Sequence, residues 1–217
     1  MSEPLGSLAT ADAAPDLRRG LWQLGIAMAH RDAPGTEDCL GRLAALLPDA
    51  EARSEAAVAV EEAILQCLLF LGFPAALTTL AAWRRISGRT PEDRPPLDDP
   101  PRASGEVVCQ AVYGSAYPLL RERMKTLHPA ANQWMVEDGY GKVMGRAGLD
   151  LVTRELLNVA LLAATDFPQQ LHSHLRGSLA VGASVEQVQA VLEEATAGLP
   201  PERREVLATL FREIATR

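Results

Sequence analysis

Apolar residues recur along this chain at the three- and four-residue spacing of amphipathic helices. Leu17, Leu21, Leu24 and Met28 follow it and predict a first helix over 17–28. Runs of β-branched residues, which favour strands, are absent, so the sequence predicts an all-α fold. The further predicted helices cover 37–47, 53–71, 75–86, 107–125, 129–143, 151–165, 168–182, 185–198 and 201–215.

Capping and helix-breaking residues mark the ends of these segments. The Gly-Phe-Pro sequence at 72–74 is the glycine-then-proline signal that ends a helix. Asp150 and Asp166 are predicted to be the N-caps of the helices that follow them. Ser184 and Gln187 have the spacing of a capping box, which predicts a helix start there.

A proline-rich segment separates two helical halves. Residues 87–105 contain five prolines and many charges, so they cannot hold a helix and are predicted to be an extended linker. Residues 1–16 are polar and small and are predicted to be a flexible tail. The predicted halves are therefore 17–86 and 106–217.

The order of helix breaks and apolar blocks indicates that the two halves repeat each other. An offset of 135 residues places Gly20 on Glu155 and Cys39 on His174. The offset falls to 126 between the Gly-x-Pro sequences at 72–74 and 198–200, so the first half carries about nine extra residues. Two unrelated pairs of helices are the alternative interpretation.

Composition and charge disfavour some classes of binding partner. The 217 residues are 47% hydrophobic with a net charge of −7, which disfavours binding to nucleic acid or an anionic membrane. Continuous apolar runs fall far short of the ~20 residues of a membrane span, and no secretory signal is recognisable at the start. Three dispersed cysteines without a Cys-x-x-Cys pair fit a reducing compartment, so a cytoplasmic location is predicted.

Four sequence blocks in the second half lie at 140–149, 153–156, 174–177 and 181–188. In this order they resemble the carboxymuconolactone decarboxylase and alkylhydroperoxidase D-like (AhpD-like) family. The resemblance implies an AhpD-like helical fold built around an antiparallel hairpin, and a homo-oligomer. With the first half as a degenerate copy, the chain would hold two tandem repeats of helical hairpins and assemble as a dimer or trimer of tandem chains.

The resemblance also implies where a site would lie. One branch of the family decarboxylates a carboxylated muconolactone in aromatic compound catabolism, and another reduces peroxides through a Cys-x-x-Cys pair assisted by a glutamate and a histidine. By position, Glu155 matches the glutamate and His174 the histidine. The cysteine positions fall on Phe167 and Gln170, which can neither form a thiolate nor resolve a disulfide. A Cys-x-x-Cys peroxidase mechanism is therefore excluded at this site.

Acid–base chemistry remains as the leading hypothesis. A histidine suits proton delivery to carbon because its pKa is ordinarily near neutrality, and Glu155 would orient the ring or hold a proton. His172 is a second candidate, because both histidines flank the predicted buried face and only the resemblance favours His174. No metal is expected, since rings two residues apart on a helix diverge.

Candidate substrate-binding residues follow from the chemistry of the expected substrate, a small carboxylated or carbonyl compound. An arginine would bind its carboxylates, and Arg146, Arg154 and Arg176 are near in sequence. Tyr140 is a candidate for lining the pocket, although packing is the commoner role of such a residue. The hypothesis requires no cofactor.

Two other interpretations stay open. The first is a non-catalytic helical assembly or small-ligand-binding protein in which the polar residues are relics. The second is a peroxidase that uses a displaced thiol, Cys39 or Cys109. The first half has Gly20 and Cys39 in place of Glu155 and His174, so its predicted role is structural.

Overall fold

The structure is a computed structural model that describes residues 15–47, 55–90 and 102–216. Every regular element in these ranges is helical, which confirms the all-α prediction. The elements are α1 (Pro15–Ala29), α2 (Ala33–Ala45), α3 (Glu55–Ser87), α4 (Arg102–Tyr113), a 3₁₀ turn (Gly114–Ala116), α5 (Tyr117–Leu127), α6 (Pro129–Trp134), a π-helix π1 (Met135–Met144), α7 (Leu151–Ala164), α8 (Pro168–Ala180), α9 (Val185–Thr196) and α10 (Pro201–Ala215).

Helices α1 and α7 pack against each other at the centre of the molecule, and their side chains join the two halves. Leu157 and Leu161 of α7 belong to the same apolar core as Leu21 and Leu24 of α1. Trp22 of α1 belongs in turn to the core around α7, α8 and α9. The halves therefore share buried surface, and the hydrophobic stabilisation of each depends on the other.

The helix bounds keep the predicted offset between the halves. Helix α2 begins at Ala33 and ends at Ala45, and α8 begins at Pro168 and ends at Ala180, each bound 135 residues later. Helices α1 and α7 likewise end 135 residues apart. An internal duplication remains a prediction, which these matching lengths support.

Helix α3 consists of two helical segments joined at a kink, which lies where the sequence predicted a break between two helices. Gly72 has φ 76° and ψ 173°, a conformation open to glycine, and Pro74 follows. By length and composition α3 is apolar enough to cross a membrane. Its residues Val60, Ile64 and Trp83 are fully buried in the core around α1, and 33% of its most apolar 18-residue stretch is buried.

Helix α4 forms a cover over the second half. It packs along π1 and across α8, and its apolar residues Val108 and Val112 belong to a third, smaller core. The helix begins at Arg102, inside the segment predicted to be linker, while residues 91–101 lie outside the described residues. The predicted tail also lies outside them up to residue 14, and its last two residues begin α1.

Several predicted helix starts are confirmed by hydrogen bonds. The Asp150 carboxylate accepts from the backbone N–H of Thr153 at 2.8 Å, so Asp150 caps α7. Both hydrogen bonds of the capping box between Ser184 and Gln187 are present at the start of α9. These local patterns were readable because each needs only residues a few positions apart.

The predicted N-cap role of Asp166 is wrong. Asp166 has a positive φ of 55°, and the cap position of α8 is taken by Phe167 without a side-chain hydrogen bond. The Asp166 carboxylate instead accepts from Arg203 of α10 at 2.8 Å. Residues 135–144 also differ from prediction, since they form π1 and not a continuation of an α-helix.

Candidate active site

A carboxylate and an imidazole meet between the antiparallel helices α7 and α8. Glu155 Oε2 lies 2.9 Å from Nδ1 of His174, and the Glu155 side chain is completely buried. His174 is also buried, with 9% of its surface exposed. The two residues that the family resemblance singled out are therefore in direct hydrogen-bond contact.

Asn158, one turn after Glu155 on α7, completes the contacts of the pair. Its Nδ2 donates to Glu155 Oε1 at 2.9 Å and lies 3.4 Å from Nδ1 of His174. Because an ionised carboxylate can only accept, the hydrogen bond to Glu155 places the proton of the neutral ring on Nδ1. Nε2 then carries the basic lone pair, and no described residue forms a hydrogen bond with it.

His174 faces a small cavity of about 190 Å³. The cavity is partly open to solvent, and besides α7 and α8 its walls are the part of α3 before the kink, the end of α4, and one face of π1. The π-helix contributes residues four to five positions apart, which its wider turn brings to one side. The described lining is Leu69, Phe70, Tyr113, Met135, Gly139, Tyr140, Met144, Asn158 and His174.

Two tyrosines form the polar part of the cavity wall beside the histidine. The Tyr140 hydroxyl donates to the Tyr113 hydroxyl at 2.8 Å. The Tyr113 ring meets the His174 ring edge to face, with ring centres 6.2 Å apart. Burial raises the pKa of both tyrosines above the usual value of 10, so both hydroxyls stay protonated at neutral pH.

The first half also contributes to the site, in contrast to the purely structural role predicted for it. Gln66 of α3 donates from Nε2 to Asn158 Oδ1 at 2.8 Å and to the Arg154 carbonyl oxygen at 2.8 Å. The first of these bonds fixes the amide orientation of Asn158, whose Nδ2 must then point to Glu155. With Leu69 and Phe70, α3 thus supplies both cavity wall and positioning contacts.

Two of the arginines predicted to bind substrate are held by a buried glutamate of α3. Arg146 contacts both carboxylate oxygens of Glu62, at 2.9 Å and 3.0 Å, and Arg154 donates to Glu62 Oε2 at 3.1 Å. Arg154 is completely buried, and this burial lowers its pKa, while its ion pair with Glu62 opposes the shift. Neither guanidinium belongs to the described lining of the cavity, so the structure gives them a role in joining the halves.

The remaining predicted residues divide between the cavity and the surface. Tyr140, a candidate for lining the pocket, lies in the cavity wall. Arg176 is exposed, and His172 is half-buried; neither lies in the described lining of the cavity. The helical rotation between positions two residues apart turns His172 away from the side on which His174 meets Glu155.

The cysteines lack the properties of reactive thiols. Cys109 is completely buried, and burial raises its pKa to about 12. Cys67 is buried in the α3 core with its pKa also raised to about 12, and burial raises the pKa of Cys39. Thiolate formation is therefore disfavoured at all three positions. Over the described ranges, no cluster of metal-ligating side chains is found.

The chain is thus a helical protein with a buried Glu–His pair beside a cavity, an arrangement that is capable of acid–base chemistry. Residues 130–209 match the family model described as the carboxymuconolactone decarboxylase family. This segment, which contains both Glu155 and His174, belongs to that family. No curated protein matches the chain.

Proposed function

We propose that this protein is an acid–base catalyst related to carboxymuconolactone decarboxylases, with His174 as the catalytic residue. Its Nε2 would move a proton to or from a carbon atom of a small carboxylated or carbonyl compound. The observation that supports this most strongly is the hydrogen bond from Nδ1 to Glu155, which leaves Nε2 as the basic atom beside a cavity.

Glu155 would act through the histidine. Its carboxylate holds the ring in the tautomer with Nδ1 protonated, and it would stabilise the positive charge that forms when Nε2 takes up a proton. The surroundings are of low polarity, which strengthens this interaction relative to water. Asn158 and Gln66 keep the carboxylate in place from the other side.

A thiol peroxidase activity is disfavoured, because all three thiols are buried and have raised pKa values. A non-catalytic ligand-binding role remains the alternative. A catalyst would break and re-form a carbon–hydrogen bond of its substrate, whereas a ligand-binding protein would leave that bond intact. The quantity to measure is therefore the rate at which a carbon-bound hydrogen of the compound exchanges with solvent.

The test is solvent-deuterium incorporation into a panel of cyclic ketones and lactones, with and without a carboxylate, followed by NMR. We expect enzyme-dependent exchange for one class, at least 100-fold slower in His174→Gln, since general acid–base groups contribute about 10²–10⁴-fold. His172→Gln is the matched control, because it changes a histidine of the same helix outside the described cavity lining. Equal loss in both variants, or no exchange with any compound, would overturn the proposal.

The cellular and assembly expectations are part of the same proposal: a cytoplasmic homo-oligomer that acts without a cofactor as a lyase of aromatic compound catabolism. An oligomer interface is supported by large apolar side chains on the surface of α3 beside the cavity, where Phe73 is 64% and Leu77 60% exposed. Light scattering coupled to size exclusion should report a dimer or trimer, and a monomer at micromolar concentration would contradict the assembly.

A further inference from the structure

The cavity beside His174 carries no positive charge of its own among its described lining residues. The arginines predicted to bind substrate, Arg146 and Arg154, are held by Glu62, and the carboxylate of Glu155 lies behind the histidine. A carboxylate bound here would lose its hydration without gaining a cationic partner of its own. It would also face the negative charge of Glu155.

The tyrosine pair offers a hydrogen-bond donor that lacks an acceptor in the protein. Tyr140 and Tyr113 share one hydrogen bond between their hydroxyls, with Tyr140 as donor. The hydroxyl proton of Tyr113 therefore has no acceptor among the described residues, and the residue is half-buried. A donor in such surroundings is stabilised by an acceptor that a ligand brings, and a carbonyl oxygen is a suitable one.

The volume of the cavity indicates the size of the part of a ligand that it can hold. Cavities of about 150 Å³ lined by apolar side chains accommodate benzene. The cavity here measures about 190 Å³ and has Leu69, Phe70, Met135 and Met144 on its walls. It therefore suits a single six-membered ring with a small substituent, placed between apolar walls with one polar atom at the tyrosine side.

Building on the proposed function, we infer that this site takes uncharged carbonyl compounds of about nine non-hydrogen atoms, and that the Tyr113 hydroxyl binds their carbonyl oxygen. A carboxylated substrate would bind more weakly. This assignment replaces the arginines with a tyrosine as the group that recognises the oxygen of the substrate.

The assignment gives a balanced proton-transfer step. Nε2 of His174 takes the proton from the carbon next to the carbonyl, the C–H electron pair forms the new carbon–carbon double bond, and the carbonyl π pair moves to oxygen. The hydrogen bond from Tyr113 stabilises the negative charge on that oxygen. The imidazolium then returns the proton to carbon, so no oxidant, reductant or metal takes part.

The experiment compares two ligands of nearly equal shape, methyl cyclohexyl ketone and cyclohexanecarboxylate, at pH 8 where the acid is ionised. Their affinities are measured by ligand-observed NMR titration on the wild-type chain, Tyr113→Phe and Tyr117→Phe. Tyr117 is the matched control, because its hydroxyl contacts Glu106 and Arg121 and the residue lies outside the described cavity lining. Circular dichroism verifies that each variant is folded.

We expect the ketone to bind the wild-type chain at least tenfold more tightly than the carboxylate. Tyr113→Phe should weaken ketone binding about fivefold, the loss of one neutral hydrogen bond, and Tyr117→Phe should leave it unchanged. The inference is overturned if the ketone does not bind, if the carboxylate binds as tightly, or if Tyr113→Phe stays within twofold of wild type. In that case, a carboxylated compound whose hydrogen exchange depends on His174 would still support the proposed function. A failure of this inference can therefore be told apart from a failure of the proposed function.

Discussion

The hairpin α7/α8 and the hairpin α1/α2 have matching helix bounds but different interiors. In α7/α8 the facing positions hold Glu155 and His174, in contact and buried. At the positions 135 residues earlier stand Gly20 and Cys39. Leu43 occupies the space beside Gly20, since a Cβ atom there would lie 2.6 Å from Leu43 Cδ2. In one hairpin an apolar side chain thus fills the space where the other hairpin holds the Glu155–His174 pair.

The second difference between the hairpins is the helix that packs across α8. Helix α4 closes over α8 because Gly177 allows it: a Cβ atom there would lie 2.6 Å from Val112 Cγ1 and 2.9 Å from Glu155 Oε2. At the position 135 residues earlier stands Arg42, whose guanidinium contacts Asp38 on the surface. The buried Glu155–His174 pair therefore depends on a glycine in α8 and on a helix packed across it.

The largest effect is expected from breaking the ion pairs that join the halves. Glu62→Ala leaves the completely buried Arg154 without its carboxylate partner, so the free energy of unfolding should fall by about 3–5 kcal/mol. Glu61→Ala, one position earlier, removes a carboxylate whose partner Arg84 is partly exposed and should cost about 1 kcal/mol or less. Urea unfolding of both variants measures the difference, and equal losses would show that α3 does not bind the second half through Glu62.

A smaller effect is expected from filling the glycine under α4. Gly177→Ala should lower the free energy of unfolding by about 1–3 kcal/mol, because the new methyl group meets Val112 and the Glu155 carboxylate. Gly41→Ala in α2 is the matched control, since a Cβ atom there has no neighbour within 4 Å. That change should be neutral or stabilise the helix by up to about 1 kcal/mol. A stabilised Gly177→Ala would contradict the close approach of α4.

The smallest effect is the part of the alkaline pH dependence of stability that comes from the tyrosines, all three of which lie in the second half. Burial raises the pKa of Tyr140, so as pH rises the unfolded chain loses its proton first. The associated stability is complete below about pH 10 and falls above it by about 1.4 kcal/mol per pH unit for one such group. Tyr140→Phe should show a shallower fall in unfolding experiments between pH 9.5 and 11, and an unchanged slope would contradict the burial of the hydroxyl.

Local and family patterns predicted much of this structure. Helix spacing and caps need only neighbouring residues, and these predictions failed mainly at Asp166, where the chain takes a left-handed turn before α8. The Glu155–His174 contact followed from the family resemblance. Asn158 lies three positions after Glu155 and therefore on the same helix face. Its position beside the pair could have been inferred from this spacing.

The rest of the site depends on contacts between distant parts of the chain. Gln66 reaches Asn158 across 92 positions, and Tyr113 lies beyond the proline-rich segment with no periodic relation to α8. The roles predicted for Arg146 and Arg154 remain predictions, and their ion pairs with Glu62 could not be read from the sequence, since Glu62 lies in the other half. Local periodicity carries no information about such pairings.

The most direct test of the account is the protonation pattern of the His174 ring, read from ¹⁵N chemical shifts with the signal assigned through His174→Gln. We expect the neutral ring to be protonated on Nδ1 with no proton on Nε2, and we expect Glu155→Gln to disturb this preference. A neutral ring protonated on Nε2, with shifts that Glu155→Gln leaves unchanged, would contradict the proposed base and the site built on it.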